Sequence, residues 1–295
     1  MPSTEIDAFE FTEEDCAYAL FRAKWPNGFR CPACGRHKAY RIDTRRLPLY
    51  ECANCHKQTS LIAGTVMEGS RTPLVSWFLA IRLHASPKSV NALQLSRIIS
   101  VTYKTAWLIC HKIRHAMSRA EAGCLLSGLV KLTHATYCPQ FSAQHNFKWH
   151  PREQALLIAV SESPSGQFDK VKLEAQNKFA IKNKHTLPDP ARFLKRNVAA
   201  DATVVTMTIQ LRNRDLEVTR IAHQSRRRIA ELFRGVGPKH LQAYLDQYCY
   251  DWNWRGTSKP SKLLEHCAQS KTIIYRNLIA RTALESSIPA DPLAA

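Results

Sequence analysis

Apolar and polar positions follow two different periods along this chain, and the change of period divides it. In "TEEDCAYALFRAKW" the apolar residues recur at helical spacing behind Thr12, an N-cap residue, with Glu13, Glu14 and Asp15 in the first turn, and "PNG" ends the run. Residues 72–120 keep a helical period throughout, interrupted at "ASPKS" and "ISVT". Within them "TPLVSWFLAIRLH" has apolar residues at 74, 75, 78, 79, 81 and 83, which predicts a helix with one buried face. From Gly128 onward the period is mixed. "GLVKLTHATY" puts Val130, Leu132 and His134 on one side and Lys131, Thr133 and Ala135 on the other, as a β-strand does. Strands are predicted at 129–137, 155–161, 168–174 and 202–209, and helices near 190–197, 223–234, 238–254 and 259–268. The Pro/Ala-rich ending "SSIPADPLAA" reads as disordered.

The expected organisation is an α+β multidomain chain. A helical lead-in spans 1–28, a Cys-rich and turn-rich segment 29–66, a helical segment 71–120, an α/β domain 126–270 and a partly disordered tail 271–295. A chain of 295 residues is long enough for more than one folded unit. The longest apolar runs, "WFLAI" and "ALLIAV", are too short to cross a bilayer, and the opening "MPSTEIDAFEFTEEDC" is acidic and polar. The expectation is a cytoplasmic protein with no membrane association. A net charge of +18 adds a partner, because lysines and arginines that neutralise phosphates release condensed counterions. Double-stranded DNA is the expected partner and the nucleoid the expected location.

Of ten cysteines, four are clustered. "CPACG" supplies Cys31 and Cys34, and "CANC" supplies Cys52 and Cys55. Two such knuckles joined by a hairpin-like segment match a four-cysteine zinc ribbon, in which each turn offers two thiolates to one tetrahedral ion. Gly35 suits the tight turn after the first knuckle, and four cysteines fill the shell without His37 or His56. Zinc is therefore the expected structural cofactor, and Arg45 and Arg46 on the ribbon are candidate DNA contacts. Cys16, Cys110, Cys124, Cys138, Cys249 and Cys267 are isolated and read as buried or inert thiols.

"SVNALQLSRIISVTYKTAWLICHKIRHAM" reads as two helices about a short turn, with Ser89 capping the first and Thr102 the second. In a helix-turn-helix the second helix enters the major groove, which assigns DNA contact to Thr102, Tyr103, Lys104 and Thr105. Ala106, Trp107, Ile109, Cys110 and Ile113 would be core, and Lys112, Arg114 and His115 would reach backbone phosphates.

These segments together carry a resemblance. "WPNGFRCPACG", "YECANCHKQTSLIAGT", "RTPLVSWFLAI", "VTYKTAWLICHKIRHAM" and "KHLQAYLDQYCYDWNWR" are similar to segments of bacterial insertion-sequence transposases. That family has an N-terminal zinc ribbon and helical DNA-binding segment ahead of an RNase H-like, DDE-type domain. The resemblance runs over residues 20–268 and implies transposition by two-metal strand transfer, with assembly into dimers or larger complexes. Such chemistry needs two divalent ions held by carboxylate oxygens.

The matching positions lack those carboxylates. Thr133 stands where the first acid belongs, with Lys131 and His134 beside it; Met207 stands at the second and Gln224 at the third, with Arg226 two residues on. No Asp or Glu lies between Glu121 and Glu153. A thioether is a soft ligand that does not replace a carboxylate for Mg²⁺. Asp201, Asp215, Glu217 and Glu231 are acids in the right half of the chain, but none is on the first strand. The resemblance thus implies a degenerate domain without catalytic acids, its Mg²⁺ or Mn²⁺ site lost. Arg226, Arg227 and Arg228, with Arg212, Arg214, Arg220 and Arg234 nearby, would bind phosphate instead. Trp252 and Trp254 read as core. The leading expectation is a transposase-derived DNA-binding protein. The alternatives are an active transposase with displaced ligands, and a protein- or RNA-interaction module.

Overall fold

The computed structural model describes residues 11–139, 149–207 and 216–279. Two compact units share the chain: residues 1–88, 92–113 and 258–273 form one, and residues 89–91, 114–257 and 274–295 the other.

The first unit begins with α1 (Glu13–Lys24), whose capping box is complete, since the Asp15 amide donates to Thr12 Oγ1 and the Asp15 carboxylate accepts from the Thr12 amide. Strands β1 (Ala39–Ile42), β2 (Leu49–Cys52) and β3 (Gln58–Ser60) follow as an antiparallel sheet in that order. Its inner face pairs Arg41, Tyr50 and Thr59. The Tyr50 ring there packs with Phe21, Trp25 and Phe29, with ring centroids 5.2–5.8 Å away. The lead-in helix and the Cys-rich segment therefore share one aromatic core. Helix α2 (Leu74–Ala85) buries Leu74, Trp77, Ala80, Ile81 and His84, so its buried stripe is centred on Trp77 rather than on 75, 78 and 79. Its first turn is capped from a distance: the Glu13 carboxylate accepts from the Leu74 and Val75 amides at 2.9 and 3.1 Å.

Helix α3 (Ala92–Ile98) starts three residues beyond Ser89, the expected cap. Ser89 has φ +49° and its hydroxyl accepts from Gln247, so it belongs to a turn and not to the helix end. The next turn is as expected. Ser100 adopts φ +52°, the Val101 amide bonds back to Ser96 O, and Thr102 Oγ1 caps α4 (Tyr103–Ala122) through the Thr105 amide. Helix α8 (Lys259–Gln269), expected in the C-terminal domain, belongs to the first unit, where Cys267 O accepts from the Val66 amide.

The second unit is built on β4 (Leu129–Tyr137), β5 (Gln154–Glu162), β6 (Phe168–Gln176) and β7 (Thr203–Thr206), in the order β6-β5-β4-β7. The first three strands form an antiparallel meander, and β7 runs parallel to β4. Strand β5 is buried on both faces over eight residues, which explains its unbroken apolar sequence. On one side Leu156, Ile158, Val160, Val171 and Leu173 pack on α6 (Leu216–Phe233) and α7 (Pro238–Asn253). On the other, Val130, Leu132, Leu157 and Ala159 pack on Phe193 of α5 (Ala191–Asn197). Helix α6 begins seven residues before the position predicted for it. The expected strand residues 208–209, Arg212, Arg214, Asp215 and the tail from 280 onward lie outside the described residues. Helix α9 (Tyr275–Ile279) is the last described element.

Candidate zinc centre and nucleic-acid interface

Two equivalent turns bring the four cysteines together. In the first, the Gly35 amide donates to Cys31 O and the Cys31 amide to Arg36 O; in the second, the His56 amide donates to Cys52 O and the Cys52 amide to Lys57 O. Both turns place their fifth residue in the left-handed region, Gly35 at φ +74° and His56 at φ +54°. Glycine adopts that conformation without steric penalty, and histidine does not. The His56 side chain faces outward, with Nδ1 3.7 Å from Glu51 Oε1 and 76% of its area exposed, so it is no ligand.

All four sulfurs lie within 4.8 Å of one another, with Cys31 and Cys55 Sγ 3.6 Å apart and Cys34 and Cys52 Sγ 3.5 Å apart. A tetrahedral zinc ion with Zn–S bonds of about 2.3 Å requires sulfur separations of about 3.8 Å, so the set fits zinc. The turns also prepare the ligand charge. Backbone amides, Cys34 first and then Ala33, together with the Cys55 and Cys34 thiols, hold Cys31 down at about 6; the Cys55 and Asn54 amides lower Cys52. At Cys55 the Lys57 amide acts downward, but contact with the Cys34 thiol, burial and the other two thiols outweigh it and push the group up to about 12. Among the described residues these cysteines are the one group of three or more His, Cys, Asp or Glu side chains whose ligand atoms converge.

The expected DNA-facing residues divide by burial. Thr102, Tyr103 and Lys104 are exposed at the start of α4, Tyr103 at 55%, and Thr105 is half-buried. Ala106, Ile109, Cys110 and Ile113 are core as expected, while Trp107 is half-buried with its ring 4.1 Å from His111. Lys112 and Arg114 correct the expectation of phosphate contact. Lys112 is buried and donates to Glu68 O at 3.1 Å. Arg114 is 1% exposed, donates from Nε to Gln247 Oε1 at 2.7 Å, and lies over the Phe233 and Tyr244 rings. Both cationic groups are thus turned into the protein and not toward solvent. His115 is half-buried, and burial lowers its pKa, keeping it neutral.

Arg45 and Arg46 are exposed on the ribbon, although Arg46 bonds Glu13 at 3.0 Å. The arginines of α6 are partly committed to acids: Arg227 pairs with Glu231 at 2.7 Å and Arg228 with Asp251 at 2.8 Å. Arg226 is half-buried, and Gln224 is exposed, its Oε1 3.4 Å from the Tyr248 hydroxyl.

Thr133 and Met207 meet through the parallel pairing of β4 and β7. The Met207 amide donates to Leu132 O at 2.7 Å, and Thr133 Oγ1 donates to Met207 O at 3.0 Å. Thr133 is 7% exposed. A feature that sequence patterning missed is the polar cluster on Glu121, which accepts from Lys172, Asn253 and Trp254 at 2.8–3.2 Å. In the sequence Glu121 stands out only as the last acid before an acid-free stretch, and its three partners lie 51 or more positions away.

Residues 11–58 match the family model of a transposase zinc-ribbon domain. No curated protein and no solved structure matches the chain. No helix among the described residues is long and apolar enough to cross a membrane.

Proposed function

We propose that this chain is a transposase-derived, zinc-containing protein that binds double-stranded DNA and has lost metal-dependent strand transfer. The ribbon match and the four converging sulfurs support the transposase relation. The strand order β6-β5-β4-β7, with an antiparallel meander, a parallel fourth strand and helices on both faces, agrees with an RNase H-like domain. The exposed Thr102, Tyr103 and Lys104 at the start of α4, behind a tight turn, agree with a recognition helix. Zinc would be held by Cys31, Cys34, Cys52 and Cys55, where it cross-links the two knuckles and does no chemistry.

One observation carries the loss of activity. At Thr133 and Met207, the positions that the resemblance aligns with two catalytic acids, a threonine hydroxyl donates its proton to a methionine carbonyl. Neither side chain offers a hard anionic oxygen to a divalent ion. With the acids gone, the exposed cations of the first unit, Lys104 at the start of α4 and Arg45 on the ribbon, bind phosphates without a metal.

The test uses zinc-loaded protein and DNA fragments flanking its gene, with Mg²⁺ or Mn²⁺, scoring mobility shift and nicking in the same tubes. Binding that weakens steeply with salt, without nicking, is the expected result. Nicking at a defined end that depends on the metal overturns the assignment of Thr133 and Met207. Binding to neither DNA strand form, with capture of RNA or protein instead, overturns the DNA reading.

A further inference from the structure

A cleft of about 410 Å³ opens in the first unit between α1 and the inner face of the ribbon sheet. Small-ligand sites span about 300–1,000 Å³, so its size suits one side chain with its flanking backbone. Helical spacing puts Glu14, Tyr18 and Phe21 on one stripe of α1, which forms one wall. Arg41 of β1 and Tyr50 of β2, paired across the strands, form the other. Tyr50 is buried and Phe21 half-buried, whereas Tyr18 is 64% exposed and the Glu14 and Asp15 carboxylates face solvent. The cleft thus has an aromatic interior and an acidic mouth.

Its charge is opposite to that of the chain. The chain carries +18, yet the lining holds two carboxylates and a single cation. That cation, Arg41, donates from Nε to Asp43 at 2.8 Å, which offsets its charge locally. Asp15 stays ionised, because the Thr12 hydroxyl and amide donate to its carboxylate and hold its pKa down.

The Tyr50 hydroxyl is a second, independent signal. Tyr50 is 8% exposed and its ring packs on Phe21, Trp25 and Phe29, yet the hydroxyl makes no hydrogen bond among the described residues. Burial pushes its pKa up, so it remains a neutral hydroxyl in the cleft wall. Polar groups so covered ordinarily have a partner, and the fold supplies none here.

We propose that this cleft docks an arginine side chain presented by a basic peptide segment of a partner protein. The guanidinium lies against the aromatic faces of Tyr18 and Phe21 and donates to the Glu14 carboxylate and the Tyr50 hydroxyl. Arginine suits the cleft better than lysine, because its planar, weakly hydrated fork stacks and donates in two directions at once. A free amino acid brings a carboxylate that Glu14 and Asp15 repel, whereas in a peptide that group is a neutral amide. The same two acids repel phosphates, which disfavours nucleic acid in this cleft. Residues 1–10 are unsuited as occupant for a related reason: they contain Glu5, Asp7 and Glu10 and no lysine or arginine.

The experiment titrates the full zinc-loaded chain, without DNA, into a dye-labelled peptide GSRGSRGS with blocked ends and follows anisotropy. Saturable binding is expected, and the citrulline counterpart, equal in shape but uncharged, is expected to bind about tenfold more weakly. At +18 the chain as a whole repels this peptide, so non-specific attraction does not mimic the result. Glu14→Gln is expected to weaken binding about tenfold. Tyr50→Phe removes only a hydroxyl without a partner in the fold, and is expected to weaken binding about fivefold with unchanged thermal unfolding. Glu265→Gln makes the same charge change on α8, outside the cleft, and is expected to leave binding unaltered. Absence of saturable binding, equal binding of the citrulline peptide, or full affinity in both Glu14→Gln and Tyr50→Phe overturns the proposal. Free arginine that competes as well as the peptide also overturns it, since the cleft is then a small-molecule site. So does self-association of the chain that Glu14→Gln abolishes, since a second copy is then the occupant. Because no DNA is present, none of these outcomes depends on the DNA-binding reading.

Discussion

Cys52→Ser removes one thiolate from the zinc centre at its best-buried position, where Cys52 is 0% exposed and the Cys55 and Asn54 amides point at its sulfur. A serine hydroxyl keeps its proton at neutral pH and does not replace a thiolate. Four-ligand zinc sites in small peptides contribute about 10–16 kcal/mol, so one ligand carries about 3 kcal/mol, or about two decades in zinc affinity. Competition against a chromophoric chelator measures that loss directly. Cys16→Ser is the control, since Cys16 is 1% exposed but stands alone; it is expected to lower stability and leave zinc affinity unchanged. Trp25, with Phe21 at 5.3 Å and Phe29 at 5.0 Å, reports the ribbon's packing by fluorescence. The pH dependence has a definite sign. The ligands are thiolates in the loaded fold and thiols in the unfolded chain below about 8.5, a depressed folded pKa. Their contribution is therefore present above that value and is lost as pH falls. In the metal-free fold backbone amides lower Cys31 and Cys52 while contact with the other thiols raises Cys55, so the four titrate as a set and zinc entering near neutral pH displaces protons from that set. Calorimetry in two buffers of different ionisation heat is expected to show proton release that grows as pH is lowered. Full zinc affinity in Cys52→Ser, or binding that tightens in acid, refutes the four-thiolate centre.

Gly35→Ala tests the knuckle's backbone alone, because φ is +74° and a Cβ there meets nothing within 4 Å. It is expected to cost about 1–2 kcal/mol of ribbon stability in urea titration, with the zinc stoichiometry unchanged. Glu13→Gln keeps the side chain's size but weakens the link that joins the Leu74 and Val75 amides to Arg46; a loss of about 1 kcal/mol is expected in thermal unfolding. Lys104→Ala, at the exposed start of α4, is expected to flatten the plot of log affinity against log salt by about 0.9 while leaving stability within about 0.5 kcal/mol. Arg114→Met is expected to do the reverse, lowering stability by about 1–3 kcal/mol as Gln247 Oε1 loses its donor, with an unchanged salt slope.

Elements with a strong local period were legible in the sequence. Strand β4 occupies the predicted 129–137, and α5 and α7 lie within a residue of their predicted spans, because Pro190 and Pro238 mark their starts. The four zinc ligands were legible from spacing alone. What escaped was whatever depends on residues far apart in sequence. Lys112 and Arg114 look like a basic helix face, yet α4 is buried continuously from Ile109 to Arg114, and the partners that accommodate their charges are Glu68 O and a glutamine 133 positions away. Helix α8 was assigned by chain order to the C-terminal domain, whereas its contacts are with α1 and α2. Ser89 carries an N-cap residue type, but the positive φ there makes it a turn.

The scaffold around Thr133 explains how a sheet of this kind can stand without carboxylates. The core of the second unit rests on β5 and on Val130 and Leu132, the neighbours of Thr133 on the opposite face of β4. None of these contacts requires an acid at 133 or 207. A carboxylate at 133, 7% exposed and placed where the threonine hydroxyl stands, would set a charge beside the Met207 carbonyl oxygen in a buried position, which is costly without a cation. Threonine fills the site and donates to that same oxygen. Under the function proposed here, the residues that remove chemistry also remove strain. Under that reading, the second unit keeps its packed sheet and loses only the metal chemistry.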